Sequence, residues 1–209
     1  MLLIAVASLL GQRVPPEDLV KALVSHYLKL KSYSAKVIHH GDFISDVKDS
    51  IDTLSWLGPK RFELTSNKES VPKITCDGRR IITIIPQVAP IPEPYDAEAQ
   101  RVAPWESRGG IVLSLMMRGP MAQQMFKPSK PVKASFAYGK ELRWHDLPIS
   151  EIVETITAQG ATVNVSYYLS PDYKQIVGME SSSGPEHIWT QYTEVKENPE
   201  LPKTLGNAG

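Results

Sequence analysis

The capacity of this chain for acid–base or metal chemistry rests first on its five histidines. His39 and His40 are adjacent, so in a strand their side chains would point to opposite faces and could not bind one metal ion together. His26 has Leu30 four residues later, where a metal site on a helix would need a second ligand. These spacings predict a protein without a metal site.

His145 and Asp146 form a couple in which a carboxylate could orient an imidazole. Neighbours in sequence seldom have the geometry of a catalytic pair, because the nucleophile, the base and the orienting group come from separate elements. The sequence also has no HExxH, GxSxG or glycine-rich phosphate loop. We therefore predict that the protein is not an enzyme and has no cofactor. A hydrolase built around His145 is the least favoured alternative.

The remaining reactive side chains favour structural or solvated roles. Cys76 is the one cysteine of the chain, which excludes an intrachain disulfide and a multi-cysteine metal site. It closes a strand-like run before a turn at residues 77–78, so we predict that it is a buried strand residue. Asp46, Asp49 and Asp52 fall on mixed faces of a strand-like stretch, and we predict that all three are solvated.

A cluster of methionines is the most informative feature, because the flexible thioether adapts to varied apolar partners. Met117, Met121 and Met125 are spaced i, i+4, i+8 and therefore share one face of a helix. Ordinary core packing explains such a face, and so does a helical lid over a cavity that accepts acyl chains. The lysines that follow are Lys127, Lys130 and Lys133. They predict either a solubilising rim or a contact for anionic lipid headgroups.

The elements that must position these residues begin with a helix. Two prolines and two acids at residues 15–18 suit a helix start, and apolar residues then recur at helical spacing, so we predict a helix over Pro16–Leu30. From residue 32 the apolar period changes to two, which predicts strands. The clearest hairpin signal is the Asp77-Gly78 turn between two strand-like runs, residues 74–76 and 79–85.

The middle of the chain interrupts this pattern, and the second half resumes it. Residues 86–107 are rich in proline and predict a long loop, whereas Gly109–Phe126 predicts one or two short helices. After residue 133, strand-like runs recur every 8–12 residues, which is typical of an antiparallel meander. The fold class is therefore α+β and mainly β, with about five strands on each side of the central loop.

Charge and the N-terminal residues bound the function. The 23 basic and 23 acidic residues give a net charge of zero, which argues against a nucleic-acid partner. The apolar run Leu2–Leu10 is too short to span a membrane. It fits the apolar region of a signal peptide, so we predict a signal peptide over residues 1–12, export, and a single domain over residues 13–209. The alternative is a strand or helix start packed in the core.

Four motifs in order resemble the LolA-like group of periplasmic lipoprotein-sorting proteins. The first is Tyr27-x-x-Leu30-x-x-Tyr33-Ser34-Ala35, similar to the opening of that group. The others are the strand Pro59–Leu64, the Asp77-Gly78 hairpin and the ending Tyr192–Pro202. The order and spacing of these motifs cover most of residues 20–202. The hairpin differs from the group, because isoleucines replace its aromatic pair.

This resemblance implies a half-open antiparallel barrel of about ten to eleven strands, covered by an N-terminal helix and a short central lid helix. It also implies a monomeric periplasmic bacterial protein that carries lipid or lipoprotein acyl chains and contacts membranes transiently. An envelope-stress sensor or protein-interaction domain, as in RseB-like regulators, is the alternative. The residues expected to line the lipid cavity are Phe62, Leu64, Ile82, Ile84 and Val165. The residues expected in the lid are Met117, Met121 and Met125.

Overall fold

A computed structural model describes residues 14–40, 50–96, 104–119, 133–144, 147–158, 160–183 and 186–206. Eleven antiparallel strands form one open sheet, and two helices accompany it. The strands are β1 (Ser32–His40), β2 (Ile51–Leu57), β3 (Arg61–Ser66), β4 (Lys73–Asp77), β5 (Arg80–Ile84), β6 (Ile91–Pro94), β7 (Lys133–Trp144), β8 (Leu147–Ala158), β9 (Ala161–Leu169), β10 (Ile176–Ser183) and β11 (Glu186–Glu197). The helices are α1 (Pro16–Tyr27) and α2 (Pro104–Arg118).

The strand order places the first and last strands side by side in the sheet. The order is β6-β5-β4-β3-β2-β1-β11-β10-β9-β8-β7, so β1 pairs with β11 and the two edges are β6 and β7. Every other pairing joins strands that are consecutive in the chain. Such a meander needs only local turns, which is why period-two runs separated by turn residues predicted it well. The predicted strand number and mainly β class are confirmed.

Alternation along the strands decides which face of the sheet is buried. In β1, Tyr33, Ala35 and Val37 are buried and alternate with less buried residues, as one covered face requires. The predicted hairpin is also present, since Ile74 of β4 pairs with Thr83 of β5. Cys76 in β4 is fully buried, so its predicted place is confirmed.

The two helices cover the buried face of the sheet. α1 starts with Pro16 and two acids in its first turn, and buries Leu19, Leu23 and Tyr27. It ends at Tyr27, three residues before the predicted end, and Leu30 is buried beyond it. α2 contacts α1 and strands β1 to β3. Within the described residues, neither helix is long and apolar enough to cross a membrane.

The Pro-rich middle of the chain differs from the predicted continuous loop. A four-residue strand, β6, lies at the sheet edge despite two prolines, because an edge strand needs no donors toward solvent. α2 begins at Pro104, earlier than the predicted Gly109, since proline is well suited to the first turn of a helix. The predicted signal peptide lies outside the described residues.

Candidate functional site

Helix α2 is bent at Gly110, and a tyrosine from the sheet supports the bend. Gly110 has φ 63° and ψ −164°, a backbone conformation that favours glycine. The Tyr192 hydroxyl of β11 donates to the Gly109 carbonyl at 3.2 Å and accepts from the Val112 N–H at 3.3 Å. A Cβ on Gly110 would lie 2.1 Å from that hydroxyl. The bend therefore divides α2 into a first segment, residues 104–109, and a second segment, residues 111–118.

The first segment is anchored to the sheet by a buried ion pair. The Arg108 Nε and Nη2 atoms each donate to an Asp52 carboxylate oxygen at 2.8 Å, and Nη1 donates to the Pro72 carbonyl. The exposed fractions of the two side chains are only 4% and 0%. The prediction that Asp52 is solvated is therefore wrong, because Arg108 arrives from a distant helix and replaces water around the carboxylate.

A histidine shares the Asp52 carboxylate. His39 Nε2 lies 3.4 Å from Asp52 Oδ2, and His39 is also buried. Burial would raise the pKa of Asp52, but the nearby His39 ring and the hydrogen bonds from Arg108 outweigh burial and hold that pKa below its ordinary value. Asp52 is therefore ionised within the sheet, and the guanidinium group of Arg108 compensates its charge through two hydrogen bonds.

A second buried acid lies on the other half of the sheet and behaves in the opposite way. The Tyr167 hydroxyl donates to Glu154 Oε2 at 2.7 Å, and both residues are buried. Burial raises the pKa of Glu154, and this one hydrogen bond only partly offsets it. Among the described residues, no cluster of three or more His, Cys, Asp or Glu could hold a metal ion.

The second segment of α2 is held to the first segment and to the residue after β6. Arg118 Nη2 lies 2.6 Å from Glu106 Oε1, so an ion pair closes across the bend. The Tyr95 hydroxyl donates to the Met117 carbonyl at 2.6 Å. The end of this segment thus has polar anchors, but the anchors lie outside the central strands.

An apolar cleft of about 620 Å³ opens at the end of the second segment. The C-terminal ends of α1, β2 and α2 meet the β2–β3 turn at this cleft. The lining residues are Tyr27, Leu28, Leu30, Lys31, Trp56, Leu57, Gly58, Pro59, Lys60, Met116, Met117 and Gly119. The charged lining residues are lysines only, and the other side chains are mainly apolar. The arrangement can hold an apolar chain but supplies no acid–base pair.

Two exposed lysines flank the mouth of this cleft. The Gly58 N–H donates to the Lys31 carbonyl at 2.9 Å, which fixes Lys31 beside the β2–β3 turn. Lys60 lies in that turn with φ 63°, a conformation uncommon for residues other than glycine. Its Nζ is 5.4 Å from the centre of the Tyr95 ring. Both ammonium groups are therefore carried by backbone that is held at the cleft.

The floor of the cleft contains an unsatisfied donor. Trp56 lines the cleft and is 5% exposed, yet its Nε1 has no hydrogen-bond partner among the described residues. Tyr33, which pairs with Trp56 across β1 and β2, likewise has a buried hydroxyl without a described partner. Buried donors without acceptors are uncommon, since each costs about 1–3 kcal/mol.

The structure separates the predicted site residues. Met117 is fully buried and lines the cleft, whereas Met121 and Met125 lie outside the described residues. The five predicted cavity residues are absent from the lining of this cleft. Of these, Phe62 and Leu64 are fully buried in the core, Ile82 is buried, and Ile84 and Val165 are partly buried. Their contact with lipid stays a prediction.

The interior under α1 is nearly filled. A second space between α1, α2 and strands β8 to β10 has a volume of only about 10 Å³. Of these two spaces, the cleft at the helix ends is by far the larger. Sequence reasoning missed this site, although the motif from Tyr27 to Leu30 marked one of its walls. His145 and Asp146 lie outside the described residues.

Solved structures share this architecture. The lipoprotein LppX of Mycobacterium tuberculosis aligns at a TM-score of 0.52 and 10% identity, over 89% of this chain and 96% of LppX. MucB aligns at a TM-score of 0.55 and 13% identity, over 93% of this chain but only 62% of MucB. A LolA superfamily protein from Nitrosomonas europaea aligns over 94% of this chain and 99% of its own, at a TM-score of 0.43 and 10% identity. This likeness is too distant to support an argument.

The chain has a LolA-like fold. An open eleven-stranded sheet with helices on its inner face is the architecture that the sequence resemblance implied, and the LppX and MucB likenesses agree with it. At these identities the LolA-like fold is shared and no activity follows from it. No family model and no curated protein matches the sequence.

Proposed function

We propose that this protein is an exported, non-enzymatic bacterial binder and carrier of lipid or lipoprotein acyl chains. The cleft at the helix ends carries the proposal. Its volume of about 620 Å³ falls within the range of about 300–1,000 Å³ that is typical of small-ligand pockets. Burial of an acyl chain against its walls would supply about 25 cal/mol per Å² of apolar surface.

The side chains of the cleft support binding over catalysis. Its lining contains no histidine, cysteine or carboxylate among the described residues. Tyr27 is the one phenol in the lining, and burial raises its pKa well above the ordinary value. Cys76 is not in the lining either, and burial raises the pKa of its thiol to about 11. The described lining residues therefore favour binding of an apolar chain over acid–base or nucleophilic chemistry.

Export and the carrier role rest on the fold and the N-terminal sequence together. LppX, which has the same fold, is a lipoprotein, and the apolar run Leu2–Leu10 fits a signal peptide. We propose a periplasmic or otherwise extracytoplasmic monomer that contacts membranes transiently during transfer. Met116 and Met117 at the second segment of α2 would adapt to chains of different shape.

Ligand capture tests this proposal directly. Native mass spectrometry of protein purified from bacterial cells should show a copurifying lipid, and the purified protein should take up a fluorescent fatty acid. Leu57→Trp places extra bulk at a half-buried position of the lining and should reduce uptake. Val88→Trp, at a position 51% exposed, is the matched control and should leave uptake unchanged. Absence of both copurifying lipid and uptake would overturn the proposal.

A protein partner is the second candidate function. Two large apolar residues are exposed near one sheet edge, Val88 at 51% and Ile91 of β6 at 47%. Exposed apolar residues on an edge are typical of interaction surfaces. MucB of Pseudomonas aeruginosa has been solved with MucA, and an envelope sensor of this fold would use such a surface. A photo-crosslinker at position 91 should then trap one specific envelope protein, whereas one at position 140 on β7 should not.

A further inference from the structure

The rim of the cleft indicates which kind of lipid the protein would select. Lys31 and Lys60 are both exposed and both line the cleft, and its described lining contains no acidic residue. Neither lysine forms a salt bridge with a described residue. By contrast, Lys36 pairs with Glu194, and Lys73 pairs with Glu63 at 2.9 Å. The Lys60 ammonium lies over the Tyr95 ring, a contact that leaves its charge without a counter-ion. Both ammonium groups at the mouth can therefore pair with an anion that arrives with a ligand.

The backbone keeps these two charges beside the apolar opening. The Gly58 N–H bonds to the Lys31 carbonyl at 2.9 Å, and a Cβ on Gly58 would lie 3.0 Å from the Trp56 ring. Lys60 follows two residues later in the left-handed region. Residues held in such conformations cluster at functional sites. The hydrogen bond between Gly58 and Lys31 therefore brings Lys31 and Lys60 to the same rim of the cleft.

We propose that the cleft selects a single-chain lipid with an anionic headgroup. The chain lies against Leu28 and Leu57, which are partly exposed in the lining, and Lys31 and Lys60 neutralise the headgroup. This inference rests on the proposed function, because it assigns the headgroup end of the same acyl-binding site. The volume of about 620 Å³ suits one such molecule rather than a bulky multi-chain lipid.

A pair of lysophospholipids with identical chains tests the headgroup. Lysophosphatidylglycerol should bind about three- to tenfold tighter than lysophosphatidylcholine, as two partly exposed ion pairs allow. The variant Lys31→Gln/Lys60→Gln should remove this preference, because it should lower affinity for the net-anionic glycerol lipid more than for the zwitterionic choline lipid. Lys36→Gln/Lys174→Gln removes two lysines outside the lining and should keep the preference. Added salt should weaken it in the wild type, since exposed charges are screened.

The outcomes separate the inference from the function on which it rests. Equal affinity for the two lipids, or a preference that survives Lys31→Gln/Lys60→Gln, overturns the headgroup assignment while acyl binding stands. Binding of neither lipid, with no fatty-acid uptake, overturns the proposed function itself.

Discussion

The first segment of α2 is anchored to the central strands by an ion pair, whereas the second segment has mainly apolar contacts at the cleft. The first segment is joined to the central strands by the buried Arg108–Asp52 pair. The second segment is joined to the first by Glu106–Arg118 and to Tyr95, and its remaining contacts near the cleft are apolar. Breaking a buried charge pair costs free energy because it leaves an uncompensated charge, whereas apolar contacts are non-directional and can be replaced by other apolar contacts. We therefore expect the first segment to fix the helix and the second to adapt to a ligand.

Removal of the buried cation should have the largest effect. Arg108→Met leaves the Asp52 carboxylate buried without its main partner, so the free energy of unfolding should fall by about 3–5 kcal/mol. Urea unfolding measures this loss. Lys36→Met removes the cation of an exposed pair and should cost at most about 1 kcal/mol. Equal losses in the two variants would contradict the assignment of Asp52 and Arg108 as the anchor.

A side chain at the bend should have the next largest effect. Gly110→Ala adds a Cβ that would lie 2.1 Å from the Tyr192 hydroxyl, at φ 63°. Backbone strain alone costs about 1–3 kcal/mol, and the contact adds to it. Gly160→Ala is the matched control, because its φ is +83° with nothing within 4 Å. Thermal unfolding should show a larger loss for Gly110→Ala, and an equal loss would mean that Tyr192 does not support the bend.

Acid should weaken the anchor through Asp52. The pKa of Asp52 is lower in the folded protein than its ordinary value, so ionised Asp52 stabilises the fold above the unfolded pKa of about 3.9. This stability is lost as the pH falls through the folded pKa. Asp52→Asn should therefore flatten the loss of stability on acidification, as measured by urea midpoints between about pH 5 and pH 2.

Glu154 provides a control of opposite sign for the acid experiment. Its pKa is raised in the folded protein, so its contribution to stability is present at low pH and is lost as the pH rises through the folded value. Glu154→Gln should consequently steepen the net loss of stability on acidification. Flattening in both variants would show that Asp52 does not carry the acid dependence.

The smallest effect on stability should come from the cleft rim. Lys31→Gln/Lys60→Gln changes two exposed residues without a described ion pair, so the free energy of unfolding should stay within about 0.5 kcal/mol of the wild type. Urea unfolding checks this value. A larger loss would mean that the lysines serve the fold rather than a ligand.

Local pattern predicted the sheet well, because each strand pairs mostly with its neighbour in sequence. The Asp77-Gly78 hairpin and the period-two runs after residue 133 needed no distant information. β6 was missed because Pro92 and Pro94 signal a loop unless the strand lies at an edge. The start of α2 at Pro104 was hidden by the same Pro-rich composition.

The candidate site could not be predicted in this way. The environment of Asp52 depends on Arg108, 56 residues away, and an acid on a strand of mixed pattern gives no sign of such a partner. The cleft combines the ends of two helices with one turn, so no single motif contains it. Of the predicted lid residues, Met117 lines the cleft, and Met121 and Met125 lie outside the described residues.

The strand order has a mechanical consequence. The edge strands β6 and β7 are consecutive in the chain, so residues 95–132, which include α2, tether one edge of the open sheet to the other. A tether of fixed contour length limits how far the edges can separate. Chain connectivity therefore couples the position of α2 to the width of the open side, so a ligand that changes one of them acts on the other.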